Sequence, residues 1–322
     1  MTRRNWTLRL TGGLAAFVAG SSRVAQGASA YTLTPINNGM QVKTPDGRVV
    51  FEYMLKNPGN IGLTSPSAAC FHPVYTPSGE RITTIDPKNH PHHRGIWIGW
   101  HSSEFRTPEP VRADYWGWGS FAPRNGRLIE NKEFKLVSAD DKQAKLEIRD
   151  EGLVEGKKML DQTTLLTVAE RDGVYVLDFD YTLKPLYTYI LNRTAFGGFA
   201  VQFRNEKESY FSDSNGKTKY PEPEYRQPDL NFPPAPWYDF TFKAADNGKV
   251  AGAAVVNHSA NPETTWHNAT YLYMLSPTIC APREITIQPN APLRLRYRVV
   301  VHDGPPQTAL IDKLSNEFRA SR

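Results

Sequence analysis

Four of the eight histidines, His90, His92, His93 and His101, fall within twelve residues, in Asn89-His90-Pro91-His92-His93-Arg94-Gly95 and the Ile96-Trp97-Ile98-Gly99-Trp100-His101 that follows. Imidazoles titrate near neutrality, so such a cluster can accept and return protons or bind a metal, and a guanidinium beside it can grip an anion. Pro91 lacks an amide hydrogen and biases His90 towards an extended conformation. An extended segment puts His90, His92 and Arg94 on one side and His93 on the other. Ile96 to Trp100 reads as the buried strand that fixes them. The plain alternative is a polar loop whose histidines bond only to nearby backbone; four histidines so close together favour a functional site.

As a catalytic set, His90, His92 or His93 would serve as general acid and base. Arg94 would hold a carboxylate or a developing oxyanion. Asp114 or Asp239 would orient a histidine or supply a second acid/base group. His258 and His267 belong to a later cluster that can face the same cleft. Binding candidates are His72, Trp100, His101, Trp116, Trp237, Asp239, Trp266, His267 and Arg298. Trp97, Trp100, Trp116, Trp118, Trp237 and Trp266 are six of the seven tryptophans, and flat aromatic faces flanked by polar groups suit sugar rings. Trp97 fits the core better. In a metal reading, His90 and His92 at i and i+2 bind Zn2+, Cu2+ or Fe2+ with a third ligand from His72, His101, His258 or His267.

The elements that must position these residues are β-strands. Met40 to Lys43 and Arg48 to Tyr53 flank Asp46-Gly47 as a hairpin. Residues 57–80 and 101–127 are loop-rich, and loops this long in a compact domain tend to carry function. Phe134–Val137, Ala144–Ile148, Lys158–Val168 and Val174–Leu183 read as a meander. In the last of these, Tyr175, Leu177, Phe179, Tyr181 and Leu183 alternate with polar residues that include Asp178 and Asp180, the sign of a strand buried on one face. Six prolines between Pro221 and Pro236 mark a stiff excursion over the sheet. Leu293 to Val301 alternates apolar residues with Arg294, Arg296 and Arg298, three arginines that meet solvent or line an anion groove. Leu310, Ile311, Leu314 and Phe318 predict one helix within 305–321, its stripe facing the core. The fold class is all-β, a large antiparallel sandwich with long loops and one C-terminal helix, in a single domain over 31–322.

Residues 1–30 read as a twin-arginine export leader: Arg3-Arg4-Asn5-Trp6, an apolar Leu14–Ala19 stretch and Ala28-Ser29-Ala30 for cleavage. The expected location is periplasmic or secreted, with no permanent membrane anchor. The full chain carries 38 basic and 33 acidic residues, a net +5. Without Arg3, Arg4, Arg9 and Arg23 the balance is 34 to 33, so bulk charge gives nucleic-acid binding no support. Cys70 and Cys280, the two cysteines, either pair or stay as buried thiols. No serine-nucleophile elbow, phosphate-binding loop or dinucleotide fingerprint is present.

His72-Pro73-Val74-Tyr75-Thr76-Pro77, His90 to Gly95 with Trp100, Asp114-Tyr115-Trp116, Gly197-Gly198-Phe199, Trp237-Tyr238-Asp239, Asn257-His258, Trp266-His267 and Leu295 to Gly304 follow one another along the chain. Together these ordered motifs resemble the bacterial PmoA-like family, a domain of unknown function labelled "methane oxygenase PmoA". The resemblance implies a soluble β-sandwich found among carbohydrate-handling genes; its label implies oxygen-dependent oxidation. Asn89 to Gly95 is also similar to the strand leading into the sugar cleft of galactose-mutarotase-type supersandwiches. Three readings follow: a carbohydrate-active hydrolase, lyase or epimerase on a small saccharide or uronate, a non-catalytic saccharide-binding module, and a histidine-metal enzyme.

Overall fold

A computed structural model describes residues 29–61, 67–117 and 127–322. The leader expected over 1–30, apart from its last two positions, and Trp118 lie outside the described residues.

Two large antiparallel sheets dominate. The first has seven strands in the order Thr32–Ile36, Gly39–Lys43, Val49–Lys56, Ser67–Val74, Ile96–Gly99, Gly198–Gln202 and Met274–Leu275. The second has nine: Gly216–Lys217, Ser209–Asp213, Trp237–Lys243, Val250–Asn257, Leu293–Asp303, Val174–Pro185, Lys157–Arg171, Gln143–Val154 and Arg127–Ala139. The last four are the expected meander, each longer than its apolar core. The hairpin at Asp46-Gly47 is present, and Gly47 has φ 89°, which a glycine adopts without strain.

The inner faces meet through aromatic rings. Phe71 lies edge-on to Phe179 with centroids 5.2 Å apart, and Phe199 stacks on Tyr297 at 4.5 Å. Tyr175, Leu177, Phe179, Tyr181 and Leu183 are all buried in this layer, as their alternation requires. On the opposite face of the same strand, Asp178 pairs with Arg298 at 2.6 Å, and Asp180 pairs with Arg294. The arginine row is thus largely neutralised by the neighbouring strand rather than left as a bare anion groove.

The helix Thr308–Arg319 forms a third layer outside the nine-stranded sheet. Ile311, Leu314 and Phe318 bury against Val174, Val176, Trp237, Ala254, Val256 and Val300, so the stripe is packing. A smaller sheet, Ile285–Ile287, Tyr189–Leu191, Ser103–Phe105 and Val111–Ala113, carries the two loops that reach the histidine cluster. Cys70 and Cys280 are both buried free thiols.

Candidate functional site

The histidine stretch enters the strand Ile96–Gly99 through tight turns. The His90 N–H donates to the Pro87 carbonyl at 2.8 Å, and the His93 N–H donates to the His90 carbonyl at 2.9 Å. Pro91 therefore sits at the second position of a four-residue turn, where its fixed φ is favourable. This corrects the extended reading: the chain reverses at Pro91-His92, and the three rings gather instead of alternating. Their centroids are 4.8 Å (His90–His93), 4.6 Å (His92–His93) and 5.7 Å (His90–His92) apart. Gly95, at φ 44°, closes the stretch against the sheet; a Cβ there would lie 2.1 Å from the Phe71 carbonyl oxygen.

The rings form one side of a pocket of about 180 Å³, whose remaining walls are Trp116, Phe196, Tyr225, His267, Tyr271, Leu272 and Met274. Two residues outside it hold Trp116 in place. The Asp114 carboxylate accepts the Gly117 N–H at 2.7 Å, fixing the turn that carries the indole. The Arg94 guanidinium donates to the carbonyls of His92, Tyr115 and Trp116 at 3.3–3.4 Å. Arg94 and Asp114 thus fasten two loops together from beneath; neither lines the pocket, in contrast to the anion-clamp and acid/base roles expected for them. Gly99 makes the approach possible, since a Cβ there would lie 2.5 Å from the Tyr115 carbonyl oxygen.

Burial sets the protonation of this region. It pushes the His93 imidazole well below its ordinary pKa, helped by the neighbouring His92 and His90, and lowers His90 as well. It brings His267 and His101 down to about 4, because an imidazolium loses its hydration there. His101 stacks on Phe196 at 4.1 Å, behind the pocket wall, and Phe196 meets His267 at 5.5 Å. At neutral pH these imidazoles are uncharged bases and hydrogen-bond acceptors.

Other expected site residues are elsewhere. His72 bonds to Thr83 Oγ1 at 3.0 Å and opens on a separate hollow with Glu52, Asn37 and Asn38. His258 contacts the Ser321 carbonyl at 3.1 Å and an Arg296 nitrogen at 3.0 Å, next to the chain's last helix. Asp239 is fully buried against His302 at 2.8 Å. Arg298 is spent on Asp178 and on the Leu314 carbonyl. Trp237 donates to Asp312 beneath the helix, Trp266 packs on Tyr238, and Trp100 lies buried against Gly197. Each of these apolar rings completes a core layer, so their flat faces are covered. Among the described residues no group of three or more His, Cys, Asp or Glu side chains is placed to hold a metal ion, and His90 with His92 does not make one.

Sequence reasoning missed Phe196, Tyr225, Tyr271, Leu272 and Met274 in the walls, and the amides of Gln202 and Asn231 behind them. Tyr225 and Asn231 come from the proline-rich excursion, whose stiffness was visible; its destination over the histidines depends on contacts distant in sequence.

Fold and site together define an antiparallel β-sandwich with an imidazole-lined, aromatic-walled pocket. The chain belongs to a family of unknown function, DUF6807, whose pattern matches residues 42–316. No curated protein matches it. A galactose mutarotase related enzyme from Lactobacillus acidophilus is similar at 8% identity, covering 84% of this chain and 97% of that one, with a TM-score of 0.35. A proposed aldose 1-epimerase from Klebsiella pneumoniae is similar at 13% identity over 88% and 81% of the two chains, also with a TM-score of 0.35.

Proposed function

We propose that the pocket is the active site of a carbohydrate-active enzyme in which uncharged imidazoles move protons on a bound saccharide. The observation that carries this reading is the convergence of His90, His92, His93 and His267 with Trp116, Phe196, Tyr225 and Tyr271 on one small pocket. An apolar wall stacks against sugar C–H surfaces, and a base of depressed pKa remains unprotonated at neutral pH. No carboxylate lines the pocket among the described residues. Glycoside hydrolysis ordinarily uses a pair of carboxyl groups about 5–9 Å apart, so proton-transfer chemistry, epimerisation or elimination, fits better than hydrolysis. For the histidine-metal reading, the described residues offer no group of three or more His, Cys, Asp or Glu side chains placed to hold an ion.

A panel of mono- and oligosaccharides, followed by NMR for product formation, tests the reading: the wild type converts at least one member, and His92→Ala and His93→Gln do not while remaining folded. Full conversion by both variants overturns it. Binding without conversion by the wild type selects the saccharide-binding module, which the aromatic walls alone would support. The twin-arginine-like leader supports export; the full-length chain is expected in the periplasmic fraction, and retention in the cytoplasm contradicts that.

A further inference from the structure

Two pocket histidines are backed by amides whose orientation the surrounding carbonyls dictate. Gln202 is fully buried on the strand Gly198–Gln202. Its Nε2 donates to the Leu272 carbonyl at 2.7 Å and the Phe203 carbonyl at 3.1 Å, while its Oε1 lies 2.8 Å from His93 Nδ1. Turning the amide over would set its oxygen against those carbonyl oxygens, so the oxygen must face the ring. An amide oxygen only accepts, and His93 Nδ1 must therefore carry the hydrogen. Asn231 repeats the arrangement on the other wall. Its Nδ2 donates to the Ala195 carbonyl at 2.7 Å and to Thr265 Oγ1 at 3.2 Å, which leaves Oδ1 at 2.9 Å from His267 Nδ1. In both rings the nitrogen left to the pocket is Nε2.

We propose that Gln202 and Asn231 are positioning residues that lock His93 and His267 as Nδ1–H tautomers, so that two Nε2 lone pairs make the pocket select neutral, hydroxyl-rich ligands over anionic ones. The substrate class rests on the reading of the pocket as a saccharide site. A sugar hydroxyl donates to a lone pair, whereas a carboxylate brings only further acceptors. Burial keeps both rings neutral, and what faces them adds to it: around His93 stand His90, His92 and Arg94, and near His267 stands His101, with no carboxylate among these neighbours. Arg94, the one cation in the group, is turned to main-chain carbonyls and does not line the pocket. Among the described residues none that lines the pocket is a Lys or Arg, so a uronate carboxylate would meet a largely apolar wall without a cationic side chain in it. This narrows the expected substrates from saccharides and uronates to uncharged sugars.

The full chain, labelled with 15N in its histidines, provides the test, with resonances assigned by their loss in His93→Gln and His267→Gln. At pH 7 both rings are expected as Nδ1–H tautomers; an Nε2–H tautomer in either overturns the proposal. Asn231→Asp is expected to hold His267 as an imidazolium at the same pH, an effect that loss of packing alone does not produce; an unchanged neutral ring counts against Asn231 as its orienter. Titration with paired glucose and glucuronate, galactose and galacturonate, and mannose and mannuronate is expected to move the two Nε2 signals with about tenfold preference for at least one neutral sugar over its acid. Preference for the acids, or no response to any pair, overturns the ligand class. The tautomers are read without any assay, so Nδ1–H rings in a protein that converts no saccharide would sink the enzymatic reading and leave the positioning intact.

Discussion

His93 and His302 are equally hidden, 2% and 1% exposed, and each faces an oxygen at 2.8 Å. The oxygen decides everything else. His93 meets the amide of Gln202, and burial drives its pKa well down; His302 meets the carboxylate of Asp239, which raises its pKa against the cost of burial. The first ring stays neutral beside a pocket, with one nitrogen left for a ligand. The second has both nitrogens used, Nε2 by Asp239 and Nδ1 by the Gly304 carbonyl, and ties the strands Trp237–Lys243 and Leu293–Asp303 together across Val250–Asn257, the strand between them. The same residue type is a candidate reagent in one place and a structural ion pair in the other.

The comparison breaks most visibly at the ion pair. Asp239→Ala leaves a buried imidazole without its counter-charge and is expected to cost about 3–5 kcal/mol in denaturant unfolding, with saccharide binding unchanged below the transition. A loss under about 1 kcal/mol would remove the ion pair from the account of stability.

Acid should separate the two regions by sign. The His267 folded-state pKa of about 4 lies below the unfolded value near 6.5. The unfolded chain therefore takes up the proton first, and stability falls as pH drops from about 6.5 towards about 4, by roughly 2–3 kcal/mol for this residue. His302 has a raised folded-state pKa, so its contribution is fully present below about 6.5 and is lost as pH rises through the folded value. Melting curves across pH 4–8 are expected to show a flatter acid limb in His267→Gln and a smaller loss on the alkaline side in His302→Gln; identical slopes in both variants and wild type would contradict the assignment.

Arg94→Lys keeps the charge but cannot reach three carbonyls in the same plane. A cost of about 1–2 kcal/mol is expected, with the preference between neutral and anionic sugars unchanged; a selective loss of anion binding would restore Arg94 as a clamp. Smallest of all, Arg294→Ala removes an exposed partner of Asp180, 55% exposed at its side chain, and should shift stability by less than about 1 kcal/mol.

Much of the sandwich was legible because alternation along Val174–Pro185 and Leu293–Asp303 reflects a single buried face, a local property of each strand. The helix stripe was legible for the same reason. The histidine stretch stands out in the sequence as a centre, but its conformation does not, since the extended bias before Pro91 competes with the turn preference of Pro91 itself, and the turn prevails. Asp239 and His258 stand out through their motifs and Arg298 through the alternation of its strand; their partners His302, Asp178 and Ser321 lie 63, 120 and 63 residues away and become visible only in the folded chain. Gln202 and Asn231 gave no signal at all, because a lone amide acquires its role from the carbonyls that orient it.

The most direct measurement sets initial rates of His93→Gln and His302→Gln beside the wild type, on a saccharide that the wild type converts and at a temperature where all three are folded. Expected is a loss of about 10²–10⁴-fold in kcat/KM for His93→Gln, with His302→Gln close to wild type. Equal rates in all three, or the larger loss in His302→Gln, would show that the reacting centre is not the pocket formed around His90–His93.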